Sequence, residues 1–395
     1  MGENAITPAI AGYTDPPPFA VEAQGQSLTF YPGGGDRREA LMEIVASAKE
    51  RLDVCFYIFA EDRVSAELRD ALAAAAARGV AVTLIIDRFG ASASDAFLQP
   101  LVDAGGRFFC FSPRIGLRYL IRNHQKMVIA DGKRALFGGF NIEDSYFAPP
   151  EENGWNDLAI GLEGPAVGGL TDWFERLVEW TDNEDAHFRA IRRAVARWEW
   201  SVPDGKARWL VGGPTRGLSS WARNVTRDLV DGQKLDIFMA YFSPPYSLLR
   251  RIARVARKGQ TRLLMAAKSD NGATLGATRS LYHYLLKRGA KIWEFTPCKL
   301  HTKLLVLDDA VYMGSANFDM RSLYLNLEIM LRIEDQALAD TMRGYIERQI
   351  AASEEITPET HRQRRTIFNR LRWALGWLLV SVIDYTVTRR LNLGI

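Results

Sequence analysis

Cysteine and histidine are scarce in this 395-residue chain: three Cys, at positions 55, 110 and 298, and five His. An odd number of thiols without metal-type spacing excludes a disulfide framework and a cysteine zinc site, and reads as buried reduced thiols in a reducing compartment. A dominant charge of one sign is also missing. Fifty Lys and Arg against 47 Asp and Glu leave a net charge of +3, too small to imply a partner by itself. The first stretch, MGENAITPAIAGYTDPPPFAVEAQ, has neither the basic start nor the long apolar core of a signal peptide or anchor. Position 6 is not Ser or Thr, so Gly2 lacks a myristoylation context.

What is present is a repeat. RLDVCFYIFAED (51–62) matches KLDIFMAYFSPP (234–245), and each precedes a helical pattern that stops at a glycine, Gly79 or Gly259. Apolar strands follow in both copies, VAVTLIID (80–87) and TRLLMAA (261–267), then AGGRFFCFSP (104–113) and RGAKIWEFTP (288–297). Later strands match as well, DLAIGLEG (157–164) with EIMLRIED (328–335). Strand–helix–strand alternation predicts an α/β fold with a largely parallel sheet in each copy. The chain divides into an irregular lead-in (1–26), a first lobe (27–205), a second lobe (206–356) and a C-terminal segment (357–395).

Within the repeat, 124-HQKMVIADGKRALFGGFN-141 is echoed by 301-HTKLLVLDDAVYMGSAN-317. Residues i and i+2 of a strand share a face, so His124 points with Lys126 and His301 with Lys303. The Asp-Gly pair at 131–132 predicts a hairpin, whose return brings Gly138, Gly139 and Asn141 back beside His124 and Lys126. Gly314, Ser315 and Asn317 do the same in the second copy. If the lobes pack about a pseudo-twofold axis, the two sets face each other.

The combined inventory, two imidazoles, two ammoniums and two carboxamides, suits a phosphodiester. Lys and Asn stabilise charge on the non-bridging oxygens; one His attacks phosphorus and the other protonates the leaving alkoxide. No carboxylate cluster or thiolate set is available to hold a metal, and none is needed where Lys supplies the charge, so no cofactor is expected. Asp157 and Glu328, at the starts of matching strands, are assigned as orienting acids, Asp157 for His124 and Glu328 for His301. Asp131 and Asp308 complete the catalytic array from the strand ends beside the turns, a place that suits holding hairpins and lobe contacts. His187, His283 and His361 have no such context and read as ordinary helix or surface residues.

These paired H-x-K-x4-D segments resemble the phospholipase D superfamily, over nearly the whole chain from about residue 27. With GGFN in the first motif, GSANFDMRS (314–322) and LNLE (325–328) in the second, and GLEGPAV (161–167), the chain is most similar to bacterial cardiolipin synthases of the B-type, which lack N-terminal transmembrane helices. The resemblance implies two α/β/α sandwich lobes with one active site between them. It also implies transfer of a phosphatidyl group through a phosphohistidine to phosphatidylglycerol, from phosphatidylglycerol or phosphatidylethanolamine as donor. By analogy His124 is the nucleophile and His301 the acid/base, with Gly139, Ser315 and Arg122 at the substrate. Two departures stand out. Gly139 replaces the Ser of many members, and five residues rather than six separate Asp308 from Gly314.

A lipid substrate requires access to a bilayer. The apolar run Trp373–Ile383 would cover about 17 Å as a helix, against a hydrocarbon core of roughly 30 Å. Flanked by Arg362, Arg364, Arg365, Arg370 and Arg372, and by Arg389 and Arg390, it reads as a segment lying in the headgroup region, the alternative being a helix packed on the second lobe. That predicts a peripheral membrane protein at the cytoplasmic face of a bacterial inner membrane, with phospholipid and not nucleic acid as partner. Arg107, Arg114, Arg118, Arg122, Lys133 and Arg134 form a basic neighbourhood for the first motif, and the extra loop RIGLRYLIRN (114–123) is a candidate lipid entrance.

Overall fold

The computed structural model describes residues 12–112, 121–183 and 188–383, and side chains to 380. Most of the loop RIGLRYLIRN, His187, Arg389 and Arg390 lie outside the described residues. The first lobe supplies β1 (Phe19–Ala23), β2 (Gln26–Tyr31), β3 (Arg51–Phe56), β4 (Ala81–Asp87), β5 (Arg107–Phe111), β6 (Met127–Ala130), β7 (Arg134–Gly138), β8 (Trp155–Asn156) and β9 (Ala159–Glu163). All but β8 form one sheet, ordered β1-β2-β9-β7-β6-β3-β4-β5. The second lobe supplies β10 (Trp200–Ser201), β11 (Ala207–Gly212), β12 (Lys234–Met239), β13 (Phe242–Ser243), β14 (Gln260–Ala266), β15 (Lys291–Phe295), β16 (Lys299–Leu300), β17 (Lys303–Leu307), β18 (Ala310–Gly314), β19 (Phe318–Asp319), β20 (Glu328–Glu334) and β21 (Ser353–Glu355). Its sheet runs β10-β11-β20-β18-β17-β12-β14-β15-β21. Strand for strand this repeats the first sheet and adds one edge strand. The duplication read from the sequence is a duplication of topology.

Neither sheet is largely parallel. Within these two sheets parallel pairing is confined to β3-β4-β5 and β12-β14-β15. The motif segments fold instead as tight antiparallel hairpins, β6–β7 and β17–β18. Asp131 and Gly132 hold φ of 54° and 64° and Asp308 holds 50°, the left-handed conformation that short turns require. The shorter second turn leaves the register intact, since Gly138 lies opposite Ala159 and Gly314 opposite Met330 in matching places. Two boundaries also move. β1 falls within the lead-in but pairs with β2 across a Gln24–Gly25 turn, and Trp200–Ser201, at the end of the expected first lobe, pairs with β11 of the second sheet.

Helices layer these sheets. On the outer face of the first lie α1 (Gly34–Ser47), α2 (Arg63–Ala77) and α3 (Asp95–Asp103), sharing one apolar core with it. Between the sheets run α4 (Pro165–Asp182), α5 (Phe188–Arg197) and, later in the chain, α10 (Gln336–Ala351). On the outer face of the second lie α6 (Ser220–Asp231), α7 (Tyr246–Lys258) and α8 (Gly272–Leu286). The later helices are α9 (Met320–Tyr324), α10, α11 (Pro358–Arg364) and α12 (Ile367–Trp377). The middle core is common to both lobes: Phe137 of β7 meets Trp209 of β11 with ring centroids 5.0 Å apart, and Phe19 of β1 meets Tyr345 of α10 at 5.8 Å. Each large side chain fully buried there contributes on the order of 1.5–3 kcal/mol, so the lobes are held as one body by their own hydrophobic interior.

Asp131 and Asp308 belong to this scaffold rather than to the catalytic set. The Asp131 carboxylate accepts the backbone N–H groups of Lys49, Glu50 and Arg51 at 2.8–3.2 Å. That of Asp308 accepts Gln233 and Lys234 at 2.8–3.3 Å. Each ties its hairpin tip to the start of the neighbouring strand in its own lobe, at the far end of the motif strand from the histidine, and neither bridges the lobes. Replacing Asp131 by Ala removes these acceptors and places a β-carbon residue without a local hydrogen bond at positive φ. It should lower the unfolding free energy by about 1–2 kcal/mol, read as a shifted urea midpoint at constant m-value. Asp131→Asn, which tolerates the same φ, should recover part of the loss. An unchanged midpoint in the Ala variant would remove the scaffold role.

Candidate active site

In open α/β sheets ligands bind beyond the carboxyl ends of parallel strands, and the motif histidines lie there. Tyr57 follows β3 directly, and Asp87, the last residue of β4, accepts the Asn123 backbone N–H at 2.7 Å. His124 and His301 are then positioned by the opposite lobe. The His124 N–H donates to the Leu327 carbonyl at 2.9 Å, and the Leu327 N–H to that of Arg122 at 2.8 Å. In the other half β16 pairs with β8, and the His301 N–H donates to the Asn156 carbonyl at 2.8 Å.

The residue after each of these partners is an acid of the other lobe, which reverses the expected assignment. His124 Nδ1 lies 3.0 Å from both oxygens of Glu328, and His301 Nδ1 lies 2.7 Å from Asp157 Oδ2. Sequence could not decide between same-lobe and cross-lobe pairing, because a perfect repeat looks identical either way; the strand bridges across the interface choose. Either acid fixes its imidazole with Nδ1–H donating, so Nε2 is the nitrogen left to react.

Both lysines are buried. Lys126 Nζ donates to the His124 carbonyl at 2.5 Å; Lys303 Nζ donates to the His301 carbonyl and lies 2.7 Å from His301 Nδ1. Asn141 does not return to His124. Its Nδ2 donates to the Tyr146 hydroxyl at 2.9 Å, and that hydroxyl stands 3.4 Å from His301 Nε2. Asn317 is also buried, and its Oδ1 has no hydrogen-bond partner among the described residues.

Of the expected substrate contacts, two are corrected. The Ser315 hydroxyl donates to Glu328 Oε2 at 2.5 Å and accepts the Ile329 N–H at 3.1 Å, so it positions the acid. At Gly139 a Cβ would fall 2.5 Å from Asp157 Oδ1 and 2.9 Å from Lys303 Cδ. Glycine there makes room for the shorter acid, which takes the Leu158 N–H at 2.8 Å in place of a serine hydroxyl. Arg122 is buried beside the site, its guanidinium carbon 3.7 Å from the centroid of the Phe89 ring. Arg114 and Arg118 lie outside the described residues, and Arg107, Lys133 and Arg134 lie at the opposite sheet end, where Arg134 pairs with Glu43 and Glu163.

Three aromatic rings that the motifs do not announce enclose His301: Tyr146 at 5.1 Å, Trp155 at 5.4 Å and Tyr241 at 6.4 Å, all edge-on. His124 meets Tyr57 at 4.9 Å. Another residue missed is Arg37 of α1, fully buried, whose guanidinium donates to the carbonyls of Pro32, Tyr146 (2.7 Å), Trp155 (2.9 Å) and Asp157 (2.6 Å). A basic residue in an otherwise half-apolar helix face was its only sequence signal. Of the remaining histidines, His283 is exposed, and His361 is buried with its ring stacked on Trp373 at 5.4 Å.

Burial, then the lysine charges, hold both imidazoles well below their ordinary pKa, His301 at about 3, so both are neutral in the empty site. Burial likewise lowers Lys126 to about 7 and Lys303 to about 8. Glu328 is pushed up to about 8 by burial, whereas Asp157, equally buried, is held low by Lys303 and His301. The consequence is testable with sulfate, whose charge is constant over this range. An anion between the lysines raises their pKa values, so affinity should be full below about pH 7 and fall as pH rises through about 7 and 8. Calorimetry at pH 9 should find binding about tenfold or more weaker than at pH 6; equal affinities would refute anion binding by these lysines.

Comparison with known proteins shows the family and the fold. Residues 41–178 and 231–350 match the family described as cardiolipin synthase, PLD-like domain. The chain is 29% identical over 378 residues to the major cardiolipin synthase ClsA of Bacillus subtilis, covering 92% of this chain and 77% of that one. It is 30% identical over 373 residues to cardiolipin synthase B of Escherichia coli (strain K12), covering 90% and 87%. In fold it is similar to the crystal structure of phosphatidylserine synthase from Haemophilus influenzae, with a TM-score of 0.72, 18% identity, and 96% and 97% of the two chains covered. Two matched lobes, each completing the other's histidine, place this chain in the cardiolipin synthase family of phospholipase D-like enzymes.

Proposed function

We propose that this enzyme is a phosphatidyltransferase that makes cardiolipin from phosphatidylglycerol and a second phospholipid, itself phosphatidylglycerol or phosphatidylethanolamine. The observation that carries the reading is the pair of cross-lobe His–acid contacts flanked by Lys126 and Lys303. His124 Nε2, kept neutral by its surroundings and oriented by Glu328, attacks the donor phosphorus. The P–O bond to the departing headgroup breaks as His301 Nε2 supplies that oxygen with a proton, leaving phosphatidyl-His124. Burial and then Lys303 hold His301 low in the empty site; the negative charge of the bound diester acts against both, and the proton that His301 donates is taken up as the diester binds. In the second half His301 removes the proton from the phosphatidylglycerol hydroxyl, the new P–O bond forms, and His124 is released. The lysines, with Asn317 and the Asn141–Tyr146 pair, stabilise charge on the phosphoryl oxygens, each well-placed donor being worth about 3–4 kcal/mol of barrier.

Contact with the bilayer is assigned to α12. Its residues Ile367, Phe368, Leu371 and Leu375 are exposed over 56–78% of their surface, and Arg370 and Arg372 stand beside them. No helix among the described residues is long and apolar enough to cross a membrane, so the reading is a helix lying in the headgroup layer at the cytoplasmic face of the inner membrane. The first part of this reading is tested by thin-layer analysis of products from defined lipid mixtures. Cardiolipin should form, and His124→Ala and His301→Ala should each reduce turnover by on the order of a thousandfold or more with the fold intact. With a phosphatidyl 4-nitrophenyl diester, whose leaving group departs without a proton, a covalent phosphoenzyme should be trapped in His301→Ala but not in His124→Ala. Phosphatidic acid as sole product would overturn transfer in favour of hydrolysis. The second part is tested by vesicle flotation: Leu371→Glu combined with Leu375→Glu should weaken binding about tenfold or more, and undiminished flotation would move the membrane contact elsewhere.

A further inference from the structure

An apolar groove of about 730 Å3 lies between α7, α8 and α12, within the range of roughly 300–1,000 Å3 typical of ligand pockets. Pro244, Pro245, Leu281, Met320, Ala374 and Trp377 are among its walls, and among the described residues no charged side chain lines it. Its position follows from the chain path. Tyr241, whose ring faces His301, leads through β13 into Pro244–Pro245, and Asn317 leads through β19 into Met320; β13 and β19 pair side by side. The inner wall therefore begins three residues from the site on both strands, roughly 10 Å at strand rise. At the other end Ala374 and Trp377 belong to α12, whose neighbouring Leu371, Leu375 and Leu378 are exposed.

Resting on the proposed lipid substrate, we infer that this groove holds one acyl chain of a phospholipid whose phosphate lies between the histidines. The chain would run from the polar site alongside β13 and β19, past Met320, to the apolar face of α12. A groove between a phosphate site and a bilayer-facing helix has the polarity sequence of the phospholipid itself. Each methylene it buries should strengthen binding about fourfold, which makes chain length the variable to measure.

Ser247 and Ala374 are exposed on the groove rim, so large side chains there fill the groove without entering the core. Ser247→Trp and Ala374→Trp are to be compared with wild type in detergent micelles of fixed composition, using dioleoyl and dihexanoyl phosphatidylglycerol and the chain-free diester bis(4-nitrophenyl) phosphate. The expected result is a loss of about tenfold or more in kcat/KM for the dioleoyl lipid. The dihexanoyl lipid should change by less than about twofold, with hydrolysis of the chain-free diester unchanged. Equal losses on all three, or none on any, would overturn the assignment, as would occupation of the groove by the chain's own last residues or by a second copy, since neither produces chain-length dependence. Failure of the wild-type protein to act on either lipid while cleaving the chain-free diester would instead sink the lipid reading.

Discussion

Each reactive imidazole is held by a carboxylate that the other lobe supplies. Nothing within either lobe does this for its own histidine: β16 and β8, and the Asn123–Leu327 bridge, carry the backbone of each motif across the interface until the acid and the imidazole are side by side. The site therefore exists only as a property of the packed pair. That gives the shared middle core a function beyond stability. A lobe that shifted against its neighbour by about 1 Å would stretch both His–carboxylate bonds past useful length and turn Nε2 away from a common phosphorus. Burying large aromatic rings from both sheets in one core resists such a shift far better than surface ion pairs could.

The two halves are equivalent in topology but not in chemistry. In the second, Ser315 holds Glu328 by its hydroxyl. In the first, Gly139 vacates the same place and a side chain one methylene shorter moves in. Arg37 reinforces the difference, because it fixes the carbonyls of Tyr146, Trp155 and Asp157 and adds positive charge near the Asp157 carboxylate. In α6, which covers the second sheet as α1 covers the first, Arg223 and Arg227 instead reach Glu199, Asp228 and Asn224. One acid is thus low and the other raised to about 8. Equivalent positions acquire different proton affinities from their surroundings, an asymmetry that the two steps of the proposed mechanism, opposite in proton demand, would use.

The repeat, the hairpins and the pairing of His124 with Lys126 and of His301 with Lys303 were legible because they are local: spacing within a strand and Asp-Gly turn chemistry act over a few residues. The cross-lobe exchange of Asp157 and Glu328 was not, since it depends on how two similar surfaces meet. Asp131 and Asp308 were conspicuous in the motif for a reason remote from chemistry, the anchoring of hairpin tips at positive φ. Tyr146, Trp155 and Arg37 escaped notice because no repeat partner marks them; they occur once, in the half whose acid needs them. The parallel character of the sheets was overestimated because alternating strands and helices occupy the start of each repeat, while the antiparallel hairpins that follow are short.

Enclosure separates the two histidines in a way that bears on the choice of acceptor. His301 is walled by Tyr146, Trp155 and Tyr241, with a side-chain exposure of 6%, against 12% for His124. On the proposed reading His301 activates the incoming nucleophile. Water there must compete from a poorly hydrated pocket, whereas the hydroxyl of a second lipid arrives tethered to a headgroup already beside the phosphorus. Exclusion of bulk water and a high effective concentration of the bound alcohol both favour transfer over hydrolysis. The rings that sequence did not reveal are thus the part of the site that could distinguish a synthase from a lipase built on the same pair of histidines.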